Sequence, residues 1–135
     1  MLNVSRRALL LVFALAACDK SVAPVDPFWG KQACDSCRML VSEPMYAAQL
    51  LDEQGHRHYF DDIGCLDAFL VDHPETKPRG LWVRLGTRWV EAESARYASG
   101  AASPMAYGFS AQEHGPLDFA AVRQGAAAHR QEHSR

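Results

Sequence analysis

The chain of 135 residues carries 14 lysines and arginines against 16 aspartates and glutamates, a formal net charge of −2 at pH 7. This length is enough for one small domain or for two very small units. The lack of a basic run argues against a nucleic-acid-binding function, and we expect no nucleic-acid partner.

The first 17 residues have the layout of a secretory signal peptide. Arg6 and Arg7 precede an apolar run, residues 8–17, which is too short to be a stable membrane span. The run ends in LAAC, where small residues precede a cysteine as is typical of a bacterial lipobox. We therefore predict cleavage after residue 17 and acylation of Cys18. An uncleaved signal anchor is the alternative.

Acylation would hold the mature chain, residues 18–135, on a bacterial membrane and facing the periplasm. Asp19, directly after the acylated cysteine, resembles a signal that retains lipoproteins on the inner membrane, so that membrane is favoured. Residues 18–33 include Pro24 and Pro27 and show no periodicity. We interpret them as the lipidated N-terminus followed by a tether.

A hairpin followed by a helix is the first predicted unit. Residues 45–60 indicate two short strands around a glycine turn. Residues 60–74 have apolar side chains at helical spacing and end at a proline. Asp61 or Asp62 can cap this helix, and capping accounts for both carboxylates.

A second unit of the same kind follows more loosely. Residues 81–92 predict another hairpin, residues 104–111 a strand and residues 115–125 a helix that ends at its last glycine. The fold class is therefore α+β, with two small related ββα-type units in one compact domain, residues 34–124. Residues 125–135 lack an apolar face and are predicted to be a flexible tail.

Three sulfur atoms lie close together in the segment ACDSCRML, from Cys34, Cys37 and Met39. A thioredoxin-type redox site needs its Cys-x-x-Cys between a buried strand and a helix start, and neither is predicted here. Arg38 stands where a c-type haem site needs histidine, which excludes haem. A membrane-anchored thiol-disulfide oxidoreductase using the two cysteines stays open as an alternative function.

Metal binding is the other use of these sulfurs. Once Cys18 is acylated, three cysteines remain, so at least one thiol is left without a disulfide partner. Structural zinc needs four ligands, which Cys65 with His56 or His58 would have to complete. Cys65 near a helix start can be either a thiolate ligand or a packing residue.

Copper(I) suits the segment better, because this soft ion accepts thioether sulfur as well as thiolate. In an extended segment, alternate side chains share a face, so Cys37 and Met39 can reach one ion. Met45, inside the first predicted strand, is interpreted as a core residue.

In this order, the lipobox and the motifs CDSCRMLV, FDDIGCLDAFL, RWVEAESARYASG and SPMAYGFSA resemble the NosL family of lipoprotein copper chaperones. The resemblance covers about residues 34–124. It implies two ββα-type units and a protein that binds Cu(I) and delivers copper to an apo-enzyme, namely nitrous oxide reductase. The residues themselves offer no convincing nucleophile with a base and no phosphate-binding glycine loop. We therefore expect no enzyme activity and no catalytic residues.

The resemblance also implies a ligand set. The family's Cys-x-Met falls on Cys37 and Met39, and the methionine of its SPM segment falls on Met105. Arg38 and Ala106 stand where the family usually has glycine. Two further cysteines are candidate copper ligands beside this set: Cys34 and Cys65.

Overall fold

The computed structural model describes residues 22–135. The predicted signal peptide and the predicted acylation site, Cys18, lie outside the described residues. Within residues 22–135, no helix has both the length and the apolar character needed to cross a membrane.

The domain is α+β, as predicted. Its elements in chain order are a 3-10 turn (Pro44–Tyr46), β1 (Ala48–Asp52), β2 (Arg57–Phe60), α1 (Ile63–Asp72), β3 (Pro78–Leu85), β4 (Arg88–Glu91), β5 (Arg96–Ala98), β6 (Ser110–Gln112) and α2 (Phe119–His133). The two predicted hairpins, β1–β2 and β3–β4, join through β1 and β3 into one antiparallel sheet of order β2-β1-β3-β4. β5 and β6 form a separate two-stranded sheet. The strand predicted to begin at residue 104 begins only at Ser110.

Helix α1 follows from its local sequence. The Asp62 side chain caps it by accepting a 3.0 Å hydrogen bond from the backbone N–H of Gly64. Its buried residues include Ile63, Leu66 and Phe69, whose spacing gives one apolar face. That face packs on the sheet, where Phe60 contacts Phe69.

Strand alternation gives the sheet two different faces. Ala48 and Leu50 point to the α1 side with Phe60, which pairs with Ala48. Gln49 and its neighbour Tyr59 therefore point to the opposite side, yet Gln49 is fully buried. Another segment must cover this second face.

The covering segment is residues 22–29, which we name the N-terminal strap. Gln49 exchanges two 3.1 Å hydrogen bonds with the backbone of Val25. Asp26 accepts hydrogen bonds from Arg84 at 2.5 Å and from the Trp89 indole at 2.7 Å. The predicted tether is therefore wrong for residues 22–33, because side chains of the sheet bind the backbone and the one carboxylate of a segment that has no periodicity of its own.

The predicted helix end at residue 125 is also wrong, since α2 continues to His133. Its buried residues are Phe119, Val122 and Ala126, and ion pairs add further contacts to α1. Asp67 of α1 is buried and accepts hydrogen bonds from Arg123 at 2.5 Å and Arg130 at 2.7 Å. Gly125 is an interior position, where an added Cβ would lie 2.5 Å from the Phe109 ring. Residues 125–133 are thus helical, not a flexible tail.

Candidate metal centre

Three cysteines and one aspartate converge beside the start of α1. The ligand atoms of Cys34, Cys37, Asp61 and Cys65 all lie within 4.8 Å of one another. Two atoms bound at about 2.3 Å to one tetrahedral ion are roughly 3.8 Å apart, so small side-chain movements would let all four share an ion. The three cysteines are free thiols. We name this group the Cys₃Asp cluster, and it is a possible metal-binding site.

The first half of the cluster is a closed loop. Ala33 and Leu40 form an antiparallel bridge, and the Cys34 N–H donates a 2.7 Å hydrogen bond to the Met39 carbonyl. Arg38 adopts a left-handed backbone with φ 69°, and its N–H donates to the Cys34 carbonyl at 3.0 Å. The loop turns Cys34 and Cys37 toward the same point, so their thiols can act together.

The second half comes from the connection between β2 and α1. Asp61 precedes the extended cap residue, and Cys65 lies in the first turn of α1, so both side chains come from the start of this helix. Because Asp62 is the helix cap, Asp61 is available to the cluster. Its Oδ1 accepts a 3.2 Å hydrogen bond from the Cys37 thiol.

Asp61 is the site residue that sequence analysis missed. It is 1% exposed, and its Oδ2 has no hydrogen-bond partner among the described residues. A buried carboxylate oxygen without a partner is costly unless a cation or a donor satisfies it. The signal in the sequence is the second aspartate, since one of two adjacent aspartates suffices for the cap.

Cys34 is the thiol best suited to be a thiolate. The Cys65 thiol donates a hydrogen bond to its sulfur, and backbone N–H groups of Cys37, Asp61 and Ser36 also donate. Together these bonds lower the pKa of Cys34 to about 6, despite its burial. A buried thiolate held by donors is ready to bind a cation.

The other two thiols are held protonated without a cation. Burial, together with the Asp61 carboxylate and the Cys34 sulfur, raises the pKa of Cys37 to about 12. The pKa of Cys65 is raised because its proton is held in the hydrogen bond to Cys34, and because it is buried. This overrides the helix dipole, which favours a thiolate near a helix start.

The same arrangement does not suit thioredoxin-type exchange. Such exchange needs an accessible sulfur with a lowered pKa. Here Cys37 is the partly exposed thiol and its pKa is raised, whereas Cys34 has the lowered pKa and is fully buried. The pattern therefore favours binding of a cation over attack on a disulfide.

The candidate histidines have other contacts. His58 Nδ1 lies 3.0 Å from Asp35 Oδ2, and its Nε2 lies 3.4 Å from Asp52 Oδ2. His56 Nδ1 lies 3.3 Å from the same oxygen of Asp52. Neither histidine belongs to the cluster found in residues 22–135. Because Asp35 lies between the two loop cysteines, His58 instead anchors the loop to β2.

Met39 and Met45 lie in surroundings other than those that the sequence predicted. The left-handed Arg38 separates Cys37 from Met39, so this segment is not extended and the expected alternation is wrong. Met39 is 60% exposed beside the loop. Met45 lies in the 3-10 turn and is exposed, which corrects its interpretation as a core residue.

Met105 lies close to the cluster by its backbone. Its N–H donates a 2.9 Å hydrogen bond to Asp62, the residue that follows Asp61, and its side chain is 37% exposed. The structure thus brings the SPM segment of the second unit to the start of α1, as a shared site requires. Binding of a metal by Met39 or Met105 stays a prediction.

The lowered pKa of Cys34 predicts that the reduced protein becomes more stable as the pH rises from about 6 to about 9. In that window the folded protein holds Cys34 as a thiolate, whereas the unfolded chain keeps this thiol protonated. Unfolding then takes up a proton, so the free energy of unfolding rises by at most about 1.4 kcal/mol per pH unit. Above about pH 9, the raised pKa values of Cys37 and Cys65 oppose the trend.

Urea unfolding at several pH values under reducing conditions measures this slope. Cys34→Ser removes the titrating group and should flatten the curve between pH 6 and 9. The same slope in parent and variant would show that Cys34 is not the thiolate.

Comparison of the chain with family models, with curated proteins and with solved structures found no significant match.

Proposed function

We propose that the protein is a periplasm-facing lipoprotein that binds Cu(I) at the Cys₃Asp cluster and delivers it to an apo-enzyme. The observation that carries this proposal is the convergence of three free thiols and Asp61 within 4.8 Å. Three thiolates can bind a thiophilic ion on their own, and Cu(I) is stable with two to four such ligands.

The cluster also has the exposure that a carrier needs. Cys34 and Cys65 are buried, whereas Cys37 is partly exposed. An acceptor thiolate can therefore approach the ion from the Cys37 side while the two buried sulfurs still hold it. The exposed thioether of Met39 follows on the same loop, and thioethers release Cu(I) more readily than thiolates do.

Zinc is the competing ion, because Asp61 supplies the fourth ligand that Zn(II) takes in tetrahedral sites. The thioethers decide between the two metals. Met39 and Met105, beside the cluster, add soft donors that favour Cu(I) and that zinc hardly uses.

Backbone conformation supports the resemblance to copper chaperones of the NosL type. Within the described residues, the non-glycine positions with positive φ are Arg38 (69°) and Ala106 (60°). Both stand where that family usually has glycine, the residue that adopts this conformation without strain. The motifs CDSCRM and SPMAYG therefore fit the loops that the family's glycines require.

The resemblance names nitrous oxide reductase as the enzyme that receives the copper. Acylation of Cys18, with Asp19 favouring the inner membrane, would hold the chaperone near periplasmic apo-enzymes.

Copper titration of the reduced domain, residues 19–135, tests the proposed function. We expect one Cu(I) per chain, bound tightly in competition with a Cu(I) chelator and retained in excess Zn(II). The control is a peptide of residues 33–40. Binding no tighter than that of the peptide would contradict the proposal, because the peptide lacks Asp61 and Cys65.

The variant Asp61→Asn should affect the affinities for Cu(I) and Zn(II) differently in the same experiment. Three thiolates remain for Cu(I), so its affinity should change little. Zn(II) loses its charged fourth ligand and should bind much more weakly. Equal losses for both metals would show that Asp61 binds Cu(I) as well.

A further inference from the structure

The N-terminal strap has a three-residue repeat. Pro24 and Pro27 fix their own backbone and push the residue before each of them into an extended conformation. Both restraints favour polyproline II backbone, which has three residues per turn. Burial follows this period within residues 22–28, where the two prolines are the less exposed positions and the other residues include exposed apolar side chains.

Those exposed apolar residues form one ridge. Val22 is 44% exposed, Val25 54% and Phe28 79%. They are three residues apart, so polyproline II backbone would place them on one side of the strap. We name them the strap ridge.

The ridge is held rigidly on the domain. The backbone of Val25 is fixed by Gln49 and also accepts a 3.1 Å hydrogen bond from the Tyr59 hydroxyl. Arg57 donates a 2.9 Å hydrogen bond to the Ala23 carbonyl. The Arg84 guanidinium lies over the rings of Trp29 and Trp89, which stack on each other. The apolar side chains thus face outward while the polar groups of the strap are bonded to the sheet.

We propose that the strap ridge lies in the interface of the membrane that carries the lipid anchor. The reason is the short distance along the chain between the ridge and the proposed lipid anchor at Cys18. Cys18 is four residues before Val22, and four extended residues span at most about 14 Å. Acyl chains on Cys18 would therefore bring the ridge to the headgroup layer, where valine and phenylalanine side chains are stabilised by leaving water.

This docking orients the domain. The strap covers the sheet face opposite α1, so α1 and Cys65 lie on the side away from the bilayer. The proposed cargo site is then presented to the periplasm and not to the lipid. The inference rests on the proposed acylation of Cys18 and does not depend on which metal the cluster binds.

Quenching of tryptophan by brominated phospholipid tests the proposal on the full processed chain in vesicles. Phe28→Trp places a reporter on the ridge, and Val71→Trp places one on α1, where Val71 is 54% exposed. The parent protein gives the signal of the native tryptophans. We expect about twofold or greater quenching of the added emission at position 28, since interfacial apolar groups sit roughly 5–10 Å into the headgroup–acyl boundary. The emission added at position 71 should not be quenched.

Equal quenching at both positions, or none at position 28, would overturn the proposal. A mass spectrum that shows Cys18 without acyl chains would overturn it too. Cu(I) affinity is measured on the same preparations. Quenching without copper binding would refute the chaperone function and support docking of the strap ridge on the membrane. Copper binding without quenching would support the chaperone function and refute the docking.

Discussion

Cys37→Ser should lower the Cu(I) affinity of the reduced protein by more than about 100-fold, because loss of an outer-shell partner of a metal ligand already costs 10–100-fold. A serine hydroxyl is a hard, neutral donor that Cu(I) binds poorly. Cys37 is also the partly exposed cysteine of the cluster, so its loss removes the contact through which copper would pass to an acceptor.

Chelator competition under reducing conditions measures the affinity, and Ser36→Ala is the matched control. Ser36 lies in the same loop, and its contribution to the cluster is a backbone N–H that donates toward Cys34, which alanine keeps. We therefore expect Ser36→Ala to bind copper as the parent does. Cys37→Ser with unchanged affinity would place the copper site elsewhere.

The parts of the fold that the sequence predicted are those with local causes. The cap at Asp62 and the apolar spacing of α1 lie within ten residues, and both hairpins have their turns between adjacent strands. The strap and the end of α2 depend on partners far along the chain instead. Asp26 meets Trp89, and Asp67 meets Arg130. The hydrophobic periodicity of a short segment cannot predict such contacts between residues far apart in the sequence.

The site shows the same division. The Cys-x-x-Cys spacing marked Cys34 and Cys37 as a pair, and Cys65 remained undecided between ligand and core. Only the packing of the loop against α1 brings Cys65 to Cys34 and leaves Asp61 facing them. The buried, unpartnered oxygen of Asp61 is a tertiary feature, which the sequence showed only as an aspartate in excess of the helix cap.

We expect bound Cu(I) to link the two ββα units through the Met105 thioether. The copper-dependent gain in stability therefore tests whether Met105 is a ligand. The Met105 N–H binds Asp62 at the start of α1, so the SPM loop already lies beside the cluster. Tyr107 of the same loop packs where a Cβ on Gly64 would stand, which keeps the loop against the helix. A thioether at this place can complete the coordination of an ion held by three thiolates.

Copper binding should therefore raise the free energy of unfolding by about 2.7 kcal/mol when free Cu(I) is 100 times its dissociation constant. In Met105→Leu we expect the affinity to fall about tenfold, which lowers this gain by about 1.4 kcal/mol at the same free copper concentration. Leucine keeps the bulk of the side chain, so the stability without copper should change little. Chemical unfolding at buffered free Cu(I) gives both quantities.

Met45→Leu is the matched control, because Met45 is a second exposed methionine of the described chain and lies in the 3-10 turn before β1. Its copper-dependent gain should equal that of the parent. If Met105→Leu keeps the full gain as well, Met105 is not a ligand. The three thiolates with Asp61 or Met39 must then complete the site, and the two units would be joined by packing alone.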